Sequence, residues 1–355
     1  MKKSLSILLS ACLLLIALVL LNFRLFSSKE LSSLNIIEDD EIQYLIITTS
    51  LSEYDSQVFV RTFDKDGNDL SEYKTNIPNA WDTDFTNGII GITGGKSLLL
   101  FDFNNKRTST IEASSSIEDY YYLDDYLAFT INNGITKGET EYRSNVCLVQ
   151  YDESIEYTEN DYSCNEISNF APYDILLQEN KILLVGLEFD SRKEYLLEFD
   201  YNLNLINRVF LNTSGAYFLS NDKENLLIYN TESYYDIETE MNYKSTSVEE
   251  TDIFTFVRKY RDGFLRTNYS SVGRSIYYEE IENENVHSTL ILSSEKNRIS
   301  VISTNETDVA SILTEDDKSE CVIFYDVINN EELPFKYTVD ESELVIGAYY
   351  FKNKE

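Results

Sequence analysis

An apolar strand that ends in an aromatic residue and then aspartate recurs along this chain, and this repeat constrains the fold more than any other feature. Five segments have this form: residues 58–64 (VFVRTFD), 98–102 (LLLFD), 146–152 (VCLVQYD), 196–200 (LLEFD) and 322–326 (VIFYD). Successive aspartates of these segments are 38, 50, 48 and 126 residues apart. The last separation is three times 42, so degenerate copies near Tyr235-Asp236 and Tyr278-Glu279 would complete seven units of about 44 residues.

Each part of the repeat has a physical role in a sheet. The apolar stretch is buried on both faces between neighbouring sheets, the aromatic residue covers the sheet edge, and the aspartate accepts backbone hydrogen bonds that start a turn. Turn-forming residues follow three of the aspartates, as Asp66-Gly67-Asn68, Asn104-Asn105 and Asn329-Asn330.

The rest of the chain beyond residue 30 has the same strand character. Short runs of Ile, Leu, Val, Phe and Tyr alternate with polar clusters, which predicts many short antiparallel strands. The 27 Tyr and 19 Phe residues also favour strands. Residues 248–260 fit either a short helix or a strand over 253–257.

Units of this length that hold four short strands are typical of a β-propeller. Over residues 34–350 the chain resembles extracytoplasmic bacterial β-propeller proteins. The predicted fold class is therefore all-β, a β-propeller of about seven blades with four short antiparallel strands each, after one N-terminal membrane helix. Two β-sandwich domains that divide near residues 167–172 remain the alternative.

A propeller must join its first and last blades, and strands from both chain ends usually complete one sheet. The early strand candidates are residues 34–37 and 44–48, and the late ones are 335–339 and 344–351. We expect hydrogen bonds between residues 33–48 and 333–351.

The first residues have the features of a membrane anchor. Lys2 and Lys3 precede an uncharged apolar run of 17 residues, 5–21, which is near the lower limit for a membrane-spanning helix and too long for an ordinary signal peptide. The two lysines favour a cytoplasmic N-terminus. We expect an anchor over residues 1–26, a linker over 27–33 and an extracytoplasmic domain over 34–355.

Residues 9–12 (LSAC) resemble the lipobox of bacterial lipoproteins, which would make Cys12 the lipidated residue. The apolar run continues to Leu21, where lipoproteins usually have a polar stretch, so Cys12 also fits an ordinary position in an anchor helix. In both cases the protein is held at the cell membrane, single-pass or lipid-anchored, with its main domain outside the cytoplasm.

Three more cysteines lie in the main domain. Cys147 and Cys164 flank a possible hairpin tip at residues 153–157, and antiparallel pairing would place them opposite each other. An extracytoplasmic location permits a disulfide there, although two free thiols fit the sequence equally. Cys321 fits a buried strand residue.

The charge balance excludes some partners. With 29 basic and 62 acidic residues the formal charge is −33, which repels nucleic acid and anionic membrane surfaces. Such a surface provides solubility and can also attract cationic partners.

Several motifs do not meet the requirements of the chemistry that they resemble. Residues 91–97 (GITGGKS) are spaced wrongly for a phosphate-binding loop and precede a strand, so they predict a hairpin turn. Residues 64–69 resemble the start of a calcium loop, but Asp69 stands at the sixth position, where an EF-hand needs Gly, and Thr75 at the twelfth, where it needs Glu. His287 is the only histidine, which rules out multi-histidine metal sites. We predict no metal site, no cofactor and no assigned catalytic residue.

Exposed aromatic residues are the best candidates for ligand contacts. Tyr120 and Tyr122, with Tyr126, fit either packing between blades or a stacking surface for sugars or peptides, and Tyr121 should face the opposite way. Trp81 falls in a predicted blade-connecting loop and fits an exposed anchor or a plug.

The sequence therefore predicts a non-enzymatic, membrane-anchored propeller that binds an unknown protein, peptide or glycan, and the acidic surface favours a cationic one. The alternatives are a glycan lyase or hydrolase on the same scaffold, and a structural subunit of an envelope complex. A central pocket with converging Tyr, Arg and Asp side chains would favour the enzyme, and a shallow acidic face with exposed aromatics the binding protein.

Overall fold

The computed structural model describes most of the chain beyond residue 40, and every regular element in the described part is a β-strand. The described residues are 41–50, 57–77, 80–135, 141–152, 156–211, 218–222, 225–230, 232–237, 239–248, 252–261, 263–271, 273–282, 285–295, 297–304, 307–315 and 319–352. The strands are β1 (Tyr44–Ser50), β2 (Gln57–Phe63), β3 (Asp69–Asn76), β4 (Ala80–Thr86), β5 (Ile89–Gly94), β6 (Ser97–Asp102), β7 (Arg107–Glu112), β8 (Ser116–Leu123), β9 (Tyr126–Ile135), β10 (Tyr142–Gln150), β11 (Glu156–Tyr157), β12 (Tyr162–Ser168), β13 (Phe170–Gln178), β14 (Lys181–Glu188), β15 (Lys193–Asp200), β16 (Leu205–Leu211), β17 (Phe218–Asp222), β18 (Asn225–Tyr229), β19 (Ser233–Asp236), β20 (Met241–Lys244), β21 (Asp252–Tyr260), β22 (Gly263–Ser270), β23 (Arg274–Glu282), β24 (Asn285–Ser294), β25 (Arg298–Thr304), β26 (Val309–Glu315), β27 (Glu320–Asp326), β28 (Glu331–Thr338) and β29 (Glu343–Tyr350).

These strands form seven sheets that are the blades of a propeller, as the repeat predicts. In order, blade 1 contains β29, β1, β2 and β3; blade 2 β4–β7; blade 3 β8, β9, β10 and β12; blade 4 β13–β16; blade 5 β17–β20; blade 6 β21–β24; and blade 7 β25–β28. The short β11 pairs in parallel with the outer strand of blade 2. The two-sandwich alternative is therefore wrong, and so is a helix in the described part of residues 248–260, which forms β21.

Each pair of neighbouring blades encloses one hydrophobic cluster, and the seven clusters account for the seven blade interfaces. Between blades 1 and 2, for example, Leu45 and Ile47 pack with Ile90 and Ile92, and all four are fully buried. Because both faces of the inner strands are covered in this way, their sequences are continuous apolar runs rather than alternating ones.

The ring closes between the two ends of the described chain. β1 pairs antiparallel with β29, with Tyr44 opposite Tyr350, and the Phe351 N–H donates to the Gln43 carbonyl oxygen at 2.8 Å. This confirms the expected contact between residues 33–48 and 333–351. Residues 335–338 belong instead to the outer strand of blade 7, and the early candidate 34–37 lies outside the described residues.

The aspartate of the repeat caps the turn between the third and fourth strands of a blade. The Asp64 carboxylate accepts the N–H groups of Asp66 and Asn68, and the Asp200 carboxylate accepts those of Asn202 and Asn204. Asp102, Asp236 and Asp326 accept backbone N–H groups in the same way. The side-chain amides of Asn68 and Asn204 also donate to these carboxylates, and together with the backbone N–H groups they hold the pKa values of Asp64 and Asp200 below the ordinary range of aspartate.

The copy at Tyr278-Glu279 differs from the others, because Glu279 lies inside β23 rather than at its end. Glu279 and Arg266 are both fully buried and form an ion pair at 2.9 Å. Three serine hydroxyls also donate to Glu279, and Tyr234 of blade 5 donates to the same carboxylate; the serines are Ser245, Ser247 and Ser288. A saturated ionic network thus joins blades 5 and 6.

Candidate functional site

The first strand of a blade lines the channel along the propeller axis, and six of these seven strands contain a β-bulge of one extra residue. A bulge bends its strand and redirects the side chains that follow it. The extra residues are Trp81, Glu118, Tyr173, Ile253, Ile302 and Ile346.

The residue directly after the bulge forms a link to the next blade in three places. Asp119 accepts the Ile175 N–H at 3.1 Å, and Asp174 accepts the Leu219 N–H at 2.6 Å. Ser303 accepts the Ala348 N–H at 3.2 Å. The repeated bulge therefore places polar side chains where they hold the ring together, and two of them, Asp119 and Asp174, also border the channel.

The channel contains a cavity of about 620 Å³ whose two sides carry opposite charges. Blades 2, 3 and 4 supply the carboxyl groups of Asp82, Asp84, Glu118, Asp119 and Asp174. Blade 6 and the turn after β21 supply the cations Arg258, Lys259 and Arg261. Aromatic and apolar side chains, including Tyr121, Tyr173 and Phe218, complete the lining.

Burial in the channel disfavours the ionised form of the blade 2 carboxyls. It raises the pKa of Asp82, and it raises the pKa of Asp84 to about 7, an effect to which the charge of Asp82 contributes. Water in the channel still reaches both side chains, which moderates the effect. The protonated form of Asp84 is thus more favoured than that of an aspartate outside the channel.

Asp119 and Asp174 form a carboxyl pair between blades 3 and 4. Burial raises the pKa of both, and for Asp119 the neighbouring charge of Asp174 and a hydrogen bond between the two side chains raise it further. Two carboxyls in such contact disfavour simultaneous ionisation, so the pair favours a state in which one of them is protonated.

Arg258 is the cation that faces the blade 2 carboxyls. Burial opposes its charge, but Asp82 and Asp84 outweigh this effect and raise the pKa of its guanidinium. The hydroxyls of Tyr229 and Tyr349 lie in the same electrostatic environment, and burial raises the pKa of both phenols. Asp, Arg and Tyr side chains therefore converge in the channel.

Ser220 adds an unpaired polar group to this site. It lines the cavity from β17, its side chain is 3% exposed, and its Oγ has no hydrogen-bond partner among the described residues. A buried hydroxyl without a partner costs free energy, which a bound ligand or water could recover.

Tyr120 does not form an exposed ligand contact and is corrected to an interblade packing residue. It is 2% exposed, and its hydroxyl accepts the Gly91 N–H at 2.6 Å and donates to the Asp84 carbonyl oxygen at 2.5 Å. Gly91 leaves room for the tyrosine ring, since a Cβ there would clash with it. Tyr121 points the other way, into the channel, as the strand periodicity predicts.

The other predicted aromatic contacts lie apart from one another. Tyr122 packs against Tyr151 with ring centroids 5.4 Å apart, and Tyr126 packs against Tyr201 at 4.8 Å, so both are half-buried. Trp81 is 43% exposed and lies in β4 rather than in a connecting loop. Because Trp81 begins the first strand of a blade while Tyr122 ends one, they lie at opposite ends of the channel.

The motifs that the sequence analysis excluded have ordinary local structures. Residues 94–97 form the hairpin between β5 and β6, and residues 64–68 form the turn between β2 and β3. His287 is exposed on β24. Among the described residues, no group of three or more His, Cys, Asp or Glu side chains could hold a metal ion.

Cys147 and Cys164 lie directly opposite each other in β10 and β12, with Cα atoms 4.1 Å apart, and the structure joins them by a disulfide. We expect peptide mapping without reductant to recover them as one linked pair, with Cys321 as a free thiol. Removing the link with Cys147→Ser should cost about 3 kcal/mol, because the unfolded chain loses a loop constraint. Free thiols at both positions in protein recovered from outside the cytoplasm would contradict the pairing.

Sequence reasoning missed the channel carboxyls, although a signal was present. In residues 80–86 (AWDTDFT) two aspartates alternate on one face of a strand that precedes an apolar hairpin, a costly place for charge unless it faces a channel. Among 62 acidic residues this pattern did not stand out, and the bulges that aim Asp119 and Asp174 have no sequence signature.

The seven blades and the axial cavity define the class of this protein as a seven-bladed β-propeller. No protein-family model and no curated protein matches the sequence.

Solved structures with low sequence identity share the fold. A chain from a study of two prolyl endopeptidases aligns with a TM-score of 0.54 and 8% identity over 88% of this chain and 52% of its own length. A Lactobacillus plantarum protein solved by a structural genomics consortium aligns with a TM-score of 0.53 and 7% identity over 88% of this chain and 100% of its own length. The Pyrococcus horikoshii acylaminoacyl peptidase aligns with a TM-score of 0.52 and 9% identity over 84% of this chain and 50% of its own length. This chain thus spans about half the length of the two peptidases.

Proposed function

We propose that this protein is a membrane-anchored extracytoplasmic propeller that binds a partner through its axial channel. The observation that carries the proposal is the water-accessible cavity of about 620 Å³, in which charged and aromatic side chains meet. Each of the four channel aspartates accepts the backbone N–H of the next residue with one carboxylate oxygen, which fixes the orientation of the side chain; they are Asp82, Asp84, Asp119 and Asp174.

The anchor is the second part of the proposal. Among the described residues no helix has the length and hydropathy of a membrane span, and residues 1–26 with Cys12 lie outside them. The apolar run after Lys2 and Lys3 supports the anchor, and the Cys147–Cys164 disulfide supports an oxidising compartment.

We expect the full-length chain to sediment with membranes and to be degraded by protease added outside the cell. Deleting residues 1–26 should release the domain into the soluble fraction, because the 17-residue apolar run is then gone. Mass spectrometry of Cys12 in wild type and in Cys12→Ser distinguishes lipidation from a plain anchor helix. A truncated chain that still sediments with membranes, or a full-length chain that protease cannot reach, would refute the anchoring.

A glycan-acting enzyme is the second candidate, and the convergence of Asp84, Tyr229 and Arg258 favours it. A carboxyl with a pKa of about 7 beside a second carboxyl, Asp82, is a pairing that general acid–base chemistry uses. Incubation with uronic-acid-containing and neutral glycans tests this, with product measured as reducing ends and as ultraviolet-absorbing unsaturated sugars. Activity that Asp84→Asn abolishes and the surface variant Asp190→Asn retains would establish the enzyme.

A further inference from the structure

We propose that the axial cavity binds an organic cation, with Asp84 and the Asp119–Asp174 pair as its anionic partners and Ser220 as an additional hydrogen-bonding group. The inference names the ligand class of the channel in the proposed function, and it rests on that function for its biological setting only.

The first argument is the charge balance inside the cavity. Of the three cations that line the cavity, Arg261 pairs with Asp308, which is not one of the lining carboxyls. The ammonium group of Lys259 lies over the Phe264 ring, 4.9 Å from its centroid. Arg258 faces Asp82 and Asp84, and the Asp119–Asp174 pair and Glu118 line the same cavity, so five carboxyls outnumber the cations there. Carboxyls that are crowded together in a channel with fewer cations favour either bound protons or a bound cation.

The second argument is the unpaired Ser220 hydroxyl, which is independent of the charges. Its Oγ is buried, has no partner among the described residues and borders the same cavity. An ammonium group carries three N–H donors, and a serine oxygen can accept one of them while carboxylates accept the others.

The third argument concerns the size and lining of the cavity. A volume of about 620 Å³ far exceeds that of a metal ion, and the described carboxyls do not converge as a metal-ligand set. Tyr121, Tyr173 and Phe218 line the cavity beside the carboxyls. Aromatic faces next to carboxylates bind alkylammonium or guanidinium groups by cation–π contacts together with charge.

The test uses the full-length chain in detergent micelles and isothermal titration calorimetry at about 0.15 M salt, which screens the acidic surface. Spermidine represents a free amine, the amide of Gly-Lys-Gly represents a basic side chain of a peptide, and calcium chloride represents a metal. We expect one or both organic probes to bind at a single site. Asp84→Asn should weaken binding tenfold or more, and Ser220→Ala a few-fold, with circular dichroism to check that each variant is folded.

Asp190→Asn is the matched control, because Asp190 is an exposed carboxylate outside the channel, and it should leave affinity unchanged. Spermidine binding alone assigns a free amine, and peptide binding alone assigns a basic side chain. Equal binding by folded Asp84→Asn, binding of calcium only, or no binding of either organic probe would overturn the ligand assignment. Those outcomes leave the membrane tests of the proposed function unaffected, so the two failures are distinguishable.

Discussion

Deletion of residues 344–355 is expected to unfold the whole propeller rather than to fray one end. The deletion removes nearly all of β29, including the buried side chains of Val345, Ile346 and Tyr349, which fill the interfaces of blade 1 with blades 7 and 2. Each large apolar side chain contributes about 1.5–3 kcal/mol when buried. Their sum approaches the total stability of about 5–15 kcal/mol that a domain has, and the loss also exposes the edge of β1.

A matched pair of point variants tests the same interface without truncation. Gly347 lies against Thr83 of blade 2, and a Cβ at position 347 would clash with the Thr83 hydroxyl. That hydroxyl already bonds to the Ile346 carbonyl oxygen and to Tyr349, so it has no room to move. Gly347→Ala should lower the urea midpoint clearly, whereas Leu344→Ala, at a 44% exposed position on the same strand, should not. A truncated chain with an unchanged unfolding midpoint would show that the ring does not depend on closure.

Replacing Glu279 by glutamine should cost about 3–5 kcal/mol, because the charge of Arg266 then remains buried without its partner. Glu282→Gln, at the exposed end of the same strand, is the matched control and should change stability by less than about 0.5 kcal/mol. The double variant Glu279→Leu with Arg266→Met should be less destabilised than Glu279→Gln, since it buries no unpaired charge. Equal unfolding midpoints for Glu279→Gln and Glu282→Gln would contradict the ionic network.

The same network predicts a pH dependence with a definite sign. Burial alone would raise the pKa of Glu279, but Arg266 and the serine hydroxyls outweigh it and lower the pKa from 4.5 to about 2. The folded state therefore holds fewer protons on Glu279 than the unfolded state between these values, and stability falls as the pH falls through that range. The difference between wild type and Glu279→Gln should accordingly be constant above pH 5 and shrink toward pH 2.

Much of the fold could be predicted because the interactions that form each repeat lie between residues that are close in sequence. A strand that ends in Phe63-Asp64 or Tyr325-Asp326 requires only burial and a capped turn, and both are encoded within a few residues. The copy in blade 6, Tyr278-Glu279, shows where this reasoning ends. Glu279 lies in the third strand of its blade, and the repeat aspartates lie at or just after the end of the third strand in theirs. Its partner Arg266 and the donor Tyr234 come from other strands, and no local sequence pattern reveals these contacts.

The candidate site was less predictable for the same physical reason. The sequence around Tyr120 suggests an exposed aromatic residue, yet Gly91 in the preceding blade leaves a space that buries the tyrosine ring. Asp119 and Asp174 come together only because bulges in two separate strands turn them toward the same interface. Contacts between blades depend on the geometry of the ring, which a sequence of strands does not specify.

The pairing of β1 with β29 also makes the described domain nearly circular in its connectivity. Tyr44 and Tyr350 face each other at the end of the ladder where other blades have a two-residue turn, such as Asp124-Asp125 between β8 and β9. A short peptide from residue 352 to residue 41 would supply the missing turn and make blade 1 continuous. Opening the chain at Asp124-Asp125 would then move the point of ring closure, where the two chain ends pair, from blade 1 to blade 3. The position of the chain ends is thus independent of the packing between blades, and a circular permutant is expected to keep all seven interfaces.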